Sequence, residues 1–253
     1  MQSSSNVPDL MSAADRCQDC PIRHRAVCSY SSPSELAELN AAKFYREYDL
    51  GQEIIGEGEQ IPTLGSVISG VVALQKTMED GRRQMVGLLF PSDFIGRPLR
   101  PRAPYDAVAV TPVRMCLFHR REFEGIMTRN QALERRLLEM TLDELDAARD
   151  WMLLLGRKTA QEKLATFLLI LNKRAALSDS AASRLDIPIP LTREAIAEFL
   201  GLTIETVSRQ FTALRKAGVI ELPDKRSFKI LRMEDLVDLS GDDGLSEAST
   251  AFA

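Results

Sequence analysis

The chain has 253 residues, of which 45% are hydrophobic and 27% are charged, and its formal net charge is −4. This is a globular composition with room for two domains. It contains no apolar run near the ~20 residues that span a bilayer, and residues 1–14 lack a secretory pattern. We therefore expect a cytoplasmic protein with reduced thiols and no membrane partner.

The basic residues are concentrated in one segment. Residues 158–232 hold 13 Lys and Arg against 8 Asp and Glu, whereas residues 233–253 hold none against 6. A local basic excess favours contact with phosphates. An excess of this size also occurs on many solvated faces, so it is only a weak indication of nucleic-acid binding.

The cysteines are distributed unevenly. Three of the four fall within twelve consecutive positions, directly after residues 1–16, which lack periodicity and are expected to be flexible. We assign residues 1–33 to a cysteine-rich segment. The four cysteines are Cys17, Cys20, Cys28 and Cys116.

Several kinds of site could use these thiols. Disulfides are disfavoured in a reducing compartment. Burial in an apolar core suits Cys116, which has apolar neighbours, but not Cys17 and Cys20 in their polar surroundings. Zinc bound by four thiolates and an iron–sulfur cluster both remain open from the spacing, although Cys28 and Cys116 do not form a second zinc knuckle.

Residues 34–120 begin with a short helix that Ser34 is expected to cap, and their residue composition then changes. Glycines recur between short β-prone runs, and Glu79-Asp80-Gly81 is a hairpin signal. This pattern predicts an antiparallel β-roll. The predicted strands are Glu53–Ile55, Leu64–Ile68, Val71–Thr77, Gln84–Leu89, Ala107–Val110 and Arg114–Phe118.

Residues 121–156 contain no proline and have glycine only near their ends. One long helix is predicted, and we assign residues 121–157 to it. A seam at heptad spacing favours pairing with a second copy, whereas the alternative is a helix that merely covers the roll. The seam is Leu138, Thr141, Leu145, Ala148, Met152 and Leu155, and a second apolar face, suited to the roll, is Leu133, Leu137, Met140 and Trp151.

Residues 158–239 are predicted to form a winged helix-turn-helix module. An amphipathic helix over 158–177 leads through a polar linker to an extended segment at 187–191. A β-hairpin over 219–231 supplies the wing. We expect residues 240–253 to be a flexible acidic tail.

The helix-turn-helix lies between these parts. Thr192 is expected to cap the helix Arg193–Leu200, which ends at Gly201. Thr203 is expected to cap a second helix that begins at Ile204 and ends near Ala217. Two capped helices joined by a turn of this length fit the DNA-binding motif.

The first turns of the second helix are expected to face base edges. Arg209 can contact guanine bidentately, Glu205 can accept from cytosine, and Ser208 can make small contacts beside them. Alternatively, Glu205 and Arg209 form a helical ion pair in the free protein. The candidates for phosphate contact are Thr192, Thr203, Thr206, Gln210, Arg215 and Lys216.

The segment Leu191–Arg209 closely resembles the winged helix-turn-helix of bacterial CRP/FNR regulators. The order of roll, long helix and winged module agrees over nearly the whole chain. Within the family, Glu205, Ser208 and Arg209 resemble the FNR type rather than the CRP type. The resemblance implies an α+β fold with a jelly roll like that of cyclic-nucleotide-binding domains.

The resemblance also implies a function. It implies a transcription activator that acts as a homodimer with RNA polymerase and binds an inverted repeat of TTGAT and ATCAA half-sites separated by four base pairs. It implies that Cys17, Cys20, Cys28 and Cys116 hold an oxygen-labile 4Fe–4S cluster. Seven residues separate Cys20 from Cys28, a longer spacing than in enteric FNR, and this resembles the FnrL/FnrN group.

Two other functions are weighed against this one. CRP-like members bind a cyclic nucleotide through Gly-Glu and Arg-Ser pairs, but here Arg97 follows Gly96 and the second position reads Tyr105-Asp106-Ala107, so we expect no cyclic nucleotide. A redox enzyme would need a phosphate loop or a catalytic Cys/His arrangement, and neither is visible. The remaining alternative is a regulator of the same fold with structural zinc or no cofactor.

Overall fold

The computed structural model describes residues 17–177 and 186–241. The expected flexible lead, the polar linker and most of the acidic tail lie outside these ranges. A short 3₁₀ helix, Cys17–Asp19, precedes helix α1, Pro33–Ala42. Ser32, not Ser34, caps α1, because Pro33 begins the helix and Glu35 completes a capping box with Ser32.

Two antiparallel four-stranded sheets form the roll, as the sequence predicted. One has the order β1-β8-β3-β6 and the other β2-β7-β4-β5. Six strands match the predicted runs within about one residue, while β1 and the two-residue β6 were not predicted as strands. Their bounds are β1 Lys43–Tyr48, β2 Glu53–Ile55, β3 Thr63–Ser69, β4 Val72–Thr77, β5 Arg83–Leu89, β6 Phe94–Ile95, β7 Asp106–Ala109 and β8 Val113–His119.

The prediction of one helix over residues 121–156 is wrong at its N-terminal end. The structure has α2, Arg120–Met127, and then α3, Gln131–Arg157. Asn130 has an extended backbone, and its side-chain oxygen accepts from the Leu133 N–H at 2.8 Å. Because an N-cap starts a new helix, the assigned dimer helix begins at Gln131 rather than at residue 121.

The C-terminal module contains four helices and a three-stranded sheet, ordered β10-β11-β9, among the described residues. The capping box of Thr159 and Glu162 begins its first helix. Gly201 is the C-cap of the next helix, Arg193–Leu200, and its φ of +61° is the left-handed conformation expected of a C-cap glycine. The bounds are α4 Ala160–Ala176, β9 Ile187–Pro188, α5 Arg193–Leu200, α6 Ile204–Lys216, β10 Ile220–Glu221, β11 Ser227–Ile230 and α7 Met233–Asp238.

The boundaries of the two hydrophobic cores do not coincide with the boundaries of the domains predicted from the sequence. The first lies inside the roll and extends to Leu133 at the start of α3. The second fills the winged module, and it includes Met85 and Phe90 of the roll and Trp151 of α3. The module therefore rests on the roll and on the C-terminal half of α3. Within the described residues, no helix has the length and apolarity to cross a membrane.

Candidate cysteine and DNA-binding sites

The segment between the N-terminal cysteines and α1 is a series of tight turns. Ala26 N–H donates to the Ile22 carbonyl at 2.9 Å, and both side chains are buried. The Arg23 guanidinium closes the loop by donating to the carbonyls of Ser29 at 2.7 Å and Ser31 at 3.1 Å. We call residues 20–31 the cysteine loop.

The fourth cysteine lies on the roll, in strand β8. Cys116 stands opposite Tyr45 of β1 and Ser66 of β3. The hydroxyl of Ser66 is buried and has no hydrogen-bond partner. Glycine is required at position 65, where β3 pairs with β8, because a Cβ there would lie 1.9 Å from the Cys116 carbonyl oxygen.

The four cysteines form no disulfide, and both Cys28 and Cys116 pack against the roll core. Burial raises the pKa of Cys116, and the three other cysteines raise it further. Burial likewise raises the pKa of Cys28 to about 11, with Cys17 and Cys20 adding to the effect. The N-terminal cysteines are therefore within electrostatic reach of the roll cysteine, which the sequence spacing alone could not show.

The donor set suits iron–sulfur chemistry, because four thiolates are the usual ligands of such clusters. Within the described residues, no group of three or more His, Cys, Asp or Glu side chains is placed to hold a metal ion. Lys43 was missed by the sequence analysis. Its charge lowers the pKa of Cys17 and Cys116, against the larger effect of burial. Only the fold shows this effect, because β1, which begins at Lys43, pairs with β8, which carries Cys116.

The predicted seam of α3 is largely exposed. Leu138, Leu145 and Met152 are 59%, 45% and 69% exposed, and Thr141 and Ala148 are exposed as well. Leu155 differs, because it is half-buried and packs against the core of the winged module. The exposed side chains Leu142 and Leu153 widen the apolar surface beyond the predicted positions.

The second apolar face of α3 also divides between two partners. Leu133, Leu137 and Met140 pack on the roll core, as expected. Trp151 packs in the core of the module instead, where its ring stacks on Phe199.

The proposed base-reading residues lie together on the exposed side of α6. Glu205, Ser208 and Arg209 are all exposed. The pKa of Glu205 is lowered chiefly by hydrogen bonds from its own N–H and from the Thr203 hydroxyl. The charge of Arg209 lowers it to a smaller extent. Arg209 Nη2 donates to Thr206 Oγ1 at 3.4 Å. The Arg209 guanidinium therefore lies beside the first turn of α6.

Most of the candidates for phosphate contact lie at helix ends. Thr192 and Thr203 are N-caps of α5 and α6, and their hydroxyls accept from Ala195 N–H at 3.1 Å and Thr206 N–H at 3.2 Å. Helix N-termini attract phosphate. Gln210 is half-buried, while Arg215 and Lys216 are exposed at the far end of α6.

A cavity of about 790 Å³ lies between the roll, α3 and the winged module. Arg97, Arg100 and Tyr105 line it. Asp106 is engaged elsewhere, since its carboxylate accepts from the Glu57 N–H at 2.6 Å. The expectation that no cyclic nucleotide binds stays a prediction.

Two family profiles match the chain. Residues 162–239 match a Crp-like helix-turn-helix domain, and residues 45–130 match a cyclic nucleotide-binding domain. The second match describes the roll and does not test its ligand.

Several relatives are similar over most of their length. The chain is 52% identical to the transcriptional activator protein FnrL of Cereibacter sphaeroides, covering 90% of this chain and 93% of that one. It is 39% identical to the nitrogen fixation regulation protein FixK of Bradyrhizobium diazoefficiens, covering 81% and 86%. The solved structure of FixK2 from Bradyrhizobium japonicum superposes with a TM-score of 0.73 at 33% identity, covering 80% of this chain and 99% of that chain. The chain therefore belongs to the CRP/FNR family of DNA-binding transcription regulators, with relatives of the FNR and FixK type.

Proposed function

We propose that this protein is an oxygen-responsive transcription activator of the cytoplasm whose four cysteines hold a 4Fe–4S cluster. The observation that carries the proposal is that Cys28 packs against the same roll core as Cys116, and that Cys17, Cys20 and Cys28 all raise the pKa of Cys116, although about ninety residues intervene. A bound cluster would supply the oxygen-reactive chemistry.

The protein's own residues would transmit the state of the cysteines. The cysteine loop contacts α3 directly, because Arg136 Nη2 donates to the Arg25 carbonyl at 2.9 Å. The Arg136 guanidinium also lies 5.7 Å from the centre of the Tyr30 ring. A loop held by its cysteines therefore fixes the first half of the helix that carries the seam.

Pairing of two α3 helices would produce the DNA-binding form. An exposed leucine and methionine seam is unfavourable in water and is buried by a second copy. Two α6 helices would then bind the two halves of a TTGAT-N4-ATCAA-like inverted repeat. Loss of pairing lowers affinity because each half-site is then bound alone. RNA polymerase is the expected further partner, and no enzymatic reaction is proposed.

The proposal is tested by anaerobic purification of the full chain, followed by iron and acid-labile sulfide analysis, an absorption spectrum and sedimentation before and after exposure to air. We expect about four irons and four sulfides per chain, in accord with a four-thiolate cluster, and a dimer that weakens in air. Cys→Ser at any of the four positions should abolish the iron.

The rival function is a regulator of the same fold that holds zinc or no cofactor. A colourless protein that contains zinc and binds the operator equally in air would establish the rival and overturn the proposal. A control variant at exposed His24, His24→Ala, should leave the iron content unchanged.

A further inference from the structure

The cysteine loop reaches a second part of the molecule besides α3. Residues 21–27, the seven between Cys20 and Cys28, include Arg25, which is half-buried. Arg25 lines the same cavity as Asp93 of the roll and Arg174 of α4. A side chain from the cysteine loop is therefore present where the roll meets the winged module.

Asp93 and Arg174 form the more buried of two ion pairs that join these two parts among the described residues, the other being Arg83–Glu198. Arg174 Nη1 donates to Asp93 Oδ1 at 3.0 Å, and their side chains are 11% and 20% exposed. The other carboxylate oxygen of Asp93 accepts from the Phe90 N–H at 2.8 Å, which fixes the carboxylate. The Arg174 guanidinium lies 4.9 Å from the Phe90 ring centre. This pair is largely withdrawn from water, so it responds strongly to an added charge.

Arg25 supplies such a charge. Its pKa is lowered chiefly by burial, then by the charge of Arg174, while Asp93 raises it and Arg136 lowers it. Arg25 and Arg174 likewise lower the pKa of Lys173, after the larger effect of burial. The Arg25 charge is thus within electrostatic reach of the Asp93–Arg174 pair across the cavity that all three residues line, and it repels the cationic end of α4.

We propose that Arg25 couples the cysteine loop directly to the winged module, by placing its charge in the cavity beside the Asp93–Arg174 ion pair. This route rests on the proposed function and adds to the contact with α3. The long Cys20–Cys28 spacing then has a structural role, because its extra residues carry Arg25 to the junction. When the cysteines lose their ligand and the loop shifts, the position of Arg25 changes and the docking of α4 changes with it.

The test is hydrogen–deuterium exchange of residues 171–177, at the end of α4, in the full chain with and without its iron. We expect the amide exchange of this segment to change on iron loss in the wild type and to change at least severalfold less in Arg25→Ala. Arg25→Lys should keep most of the response, because it preserves the charge. Arg121→Ala, an equal charge change at an exposed position of α2, should behave like the wild type.

Asp93→Asn examines the same coupling without altering the cysteine loop, and it should also suppress the response while iron content stays normal. An unchanged response in both Arg25→Ala and Asp93→Asn would overturn the inference, as would a wild type that loses iron without any change at residues 171–177. A wild type that binds no iron and sulfide would instead refute the proposed function, so the two failures are distinguishable.

Discussion

The indole of Trp151 stacks on the ring of Phe199, with centroids 3.9 Å apart and planes inclined by 22°. Trp151 belongs to α3 and Phe199 to the first helix of the helix-turn-helix, so this pair ties the helix that carries the seam to the DNA-binding motif. Phe167 of α4 meets Phe199 edge-on at 5.8 Å. The three rings form a joint whose arrangement determines where α5 sits on α3.

Replacing Phe199 by Leu should weaken this joint. We expect a loss of about 1 kcal/mol beyond the change in buried area, since aromatic pairs contribute roughly that amount. Trp151 is the chain's single tryptophan, so its fluorescence reports on the contact and its emission should shift to longer wavelength. Phe44→Leu, in β1, should leave the emission unchanged; an unshifted spectrum in Phe199→Leu would mean that the stacking does not exist in solution.

A charge in the middle of the α3 seam should prevent pairing. Leu145 is 45% exposed, so Leu145→Glu should alter the stability of a single chain by less than ~0.5 kcal/mol, as is usual for surface changes. Analytical ultracentrifugation of the loaded protein should show monomers. Asp146→Ala, next along the helix, should remain dimeric. Dimers of Leu145→Glu at wild-type strength would place the interface elsewhere.

Arg209 should determine sequence selectivity rather than general affinity. Arg209→Ala should cost ~1–3 kcal/mol on the operator and relax selectivity at one base pair, because a bidentate contact with guanine is lost. Lys216→Ala should weaken all DNA sequences alike and reduce the slope of log affinity against log salt by about 1. Binding titrations at several salt concentrations separate the two effects, and equal discrimination by Arg209→Ala would remove its assigned role.

Two glycines should respond oppositely to alanine. At Gly65 the new Cβ meets the Cys116 carbonyl oxygen at 1.9 Å, so Gly65→Ala must separate β3 from β8, at a cost of about 1–3 kcal/mol or more. At Gly156 in α3 nothing lies within 4 Å, so Gly156→Ala should stabilise the helix by ~0.5–1 kcal/mol. Urea denaturation measures both. A stable Gly65→Ala protein would show that the two strands can move apart at little cost.

Local patterns predicted much of this molecule. The strands follow β-prone runs between glycines, and the helices of the module follow their capping residues, such as Thr192 and Thr203. These signals act over a few residues, so the sequence alone carries them. The break at Asn130 was missed because the heptad pattern continues through α3 and the preceding residues lack proline, while the cap depends on one backbone conformation.

The order of roll, helix and winged module, the four thiols and the exposed residues of α6 could all be predicted from local sequence patterns. Which surfaces meet could not be predicted in this way. A heptad pattern says which side chains share a face but not what covers that face, so Trp151 and Leu155 could be assigned only when the module was seen against α3. In the same way, the approach of the cysteine loop to Cys116, and of Arg25 to Asp93, depends on contacts between segments far apart in the chain.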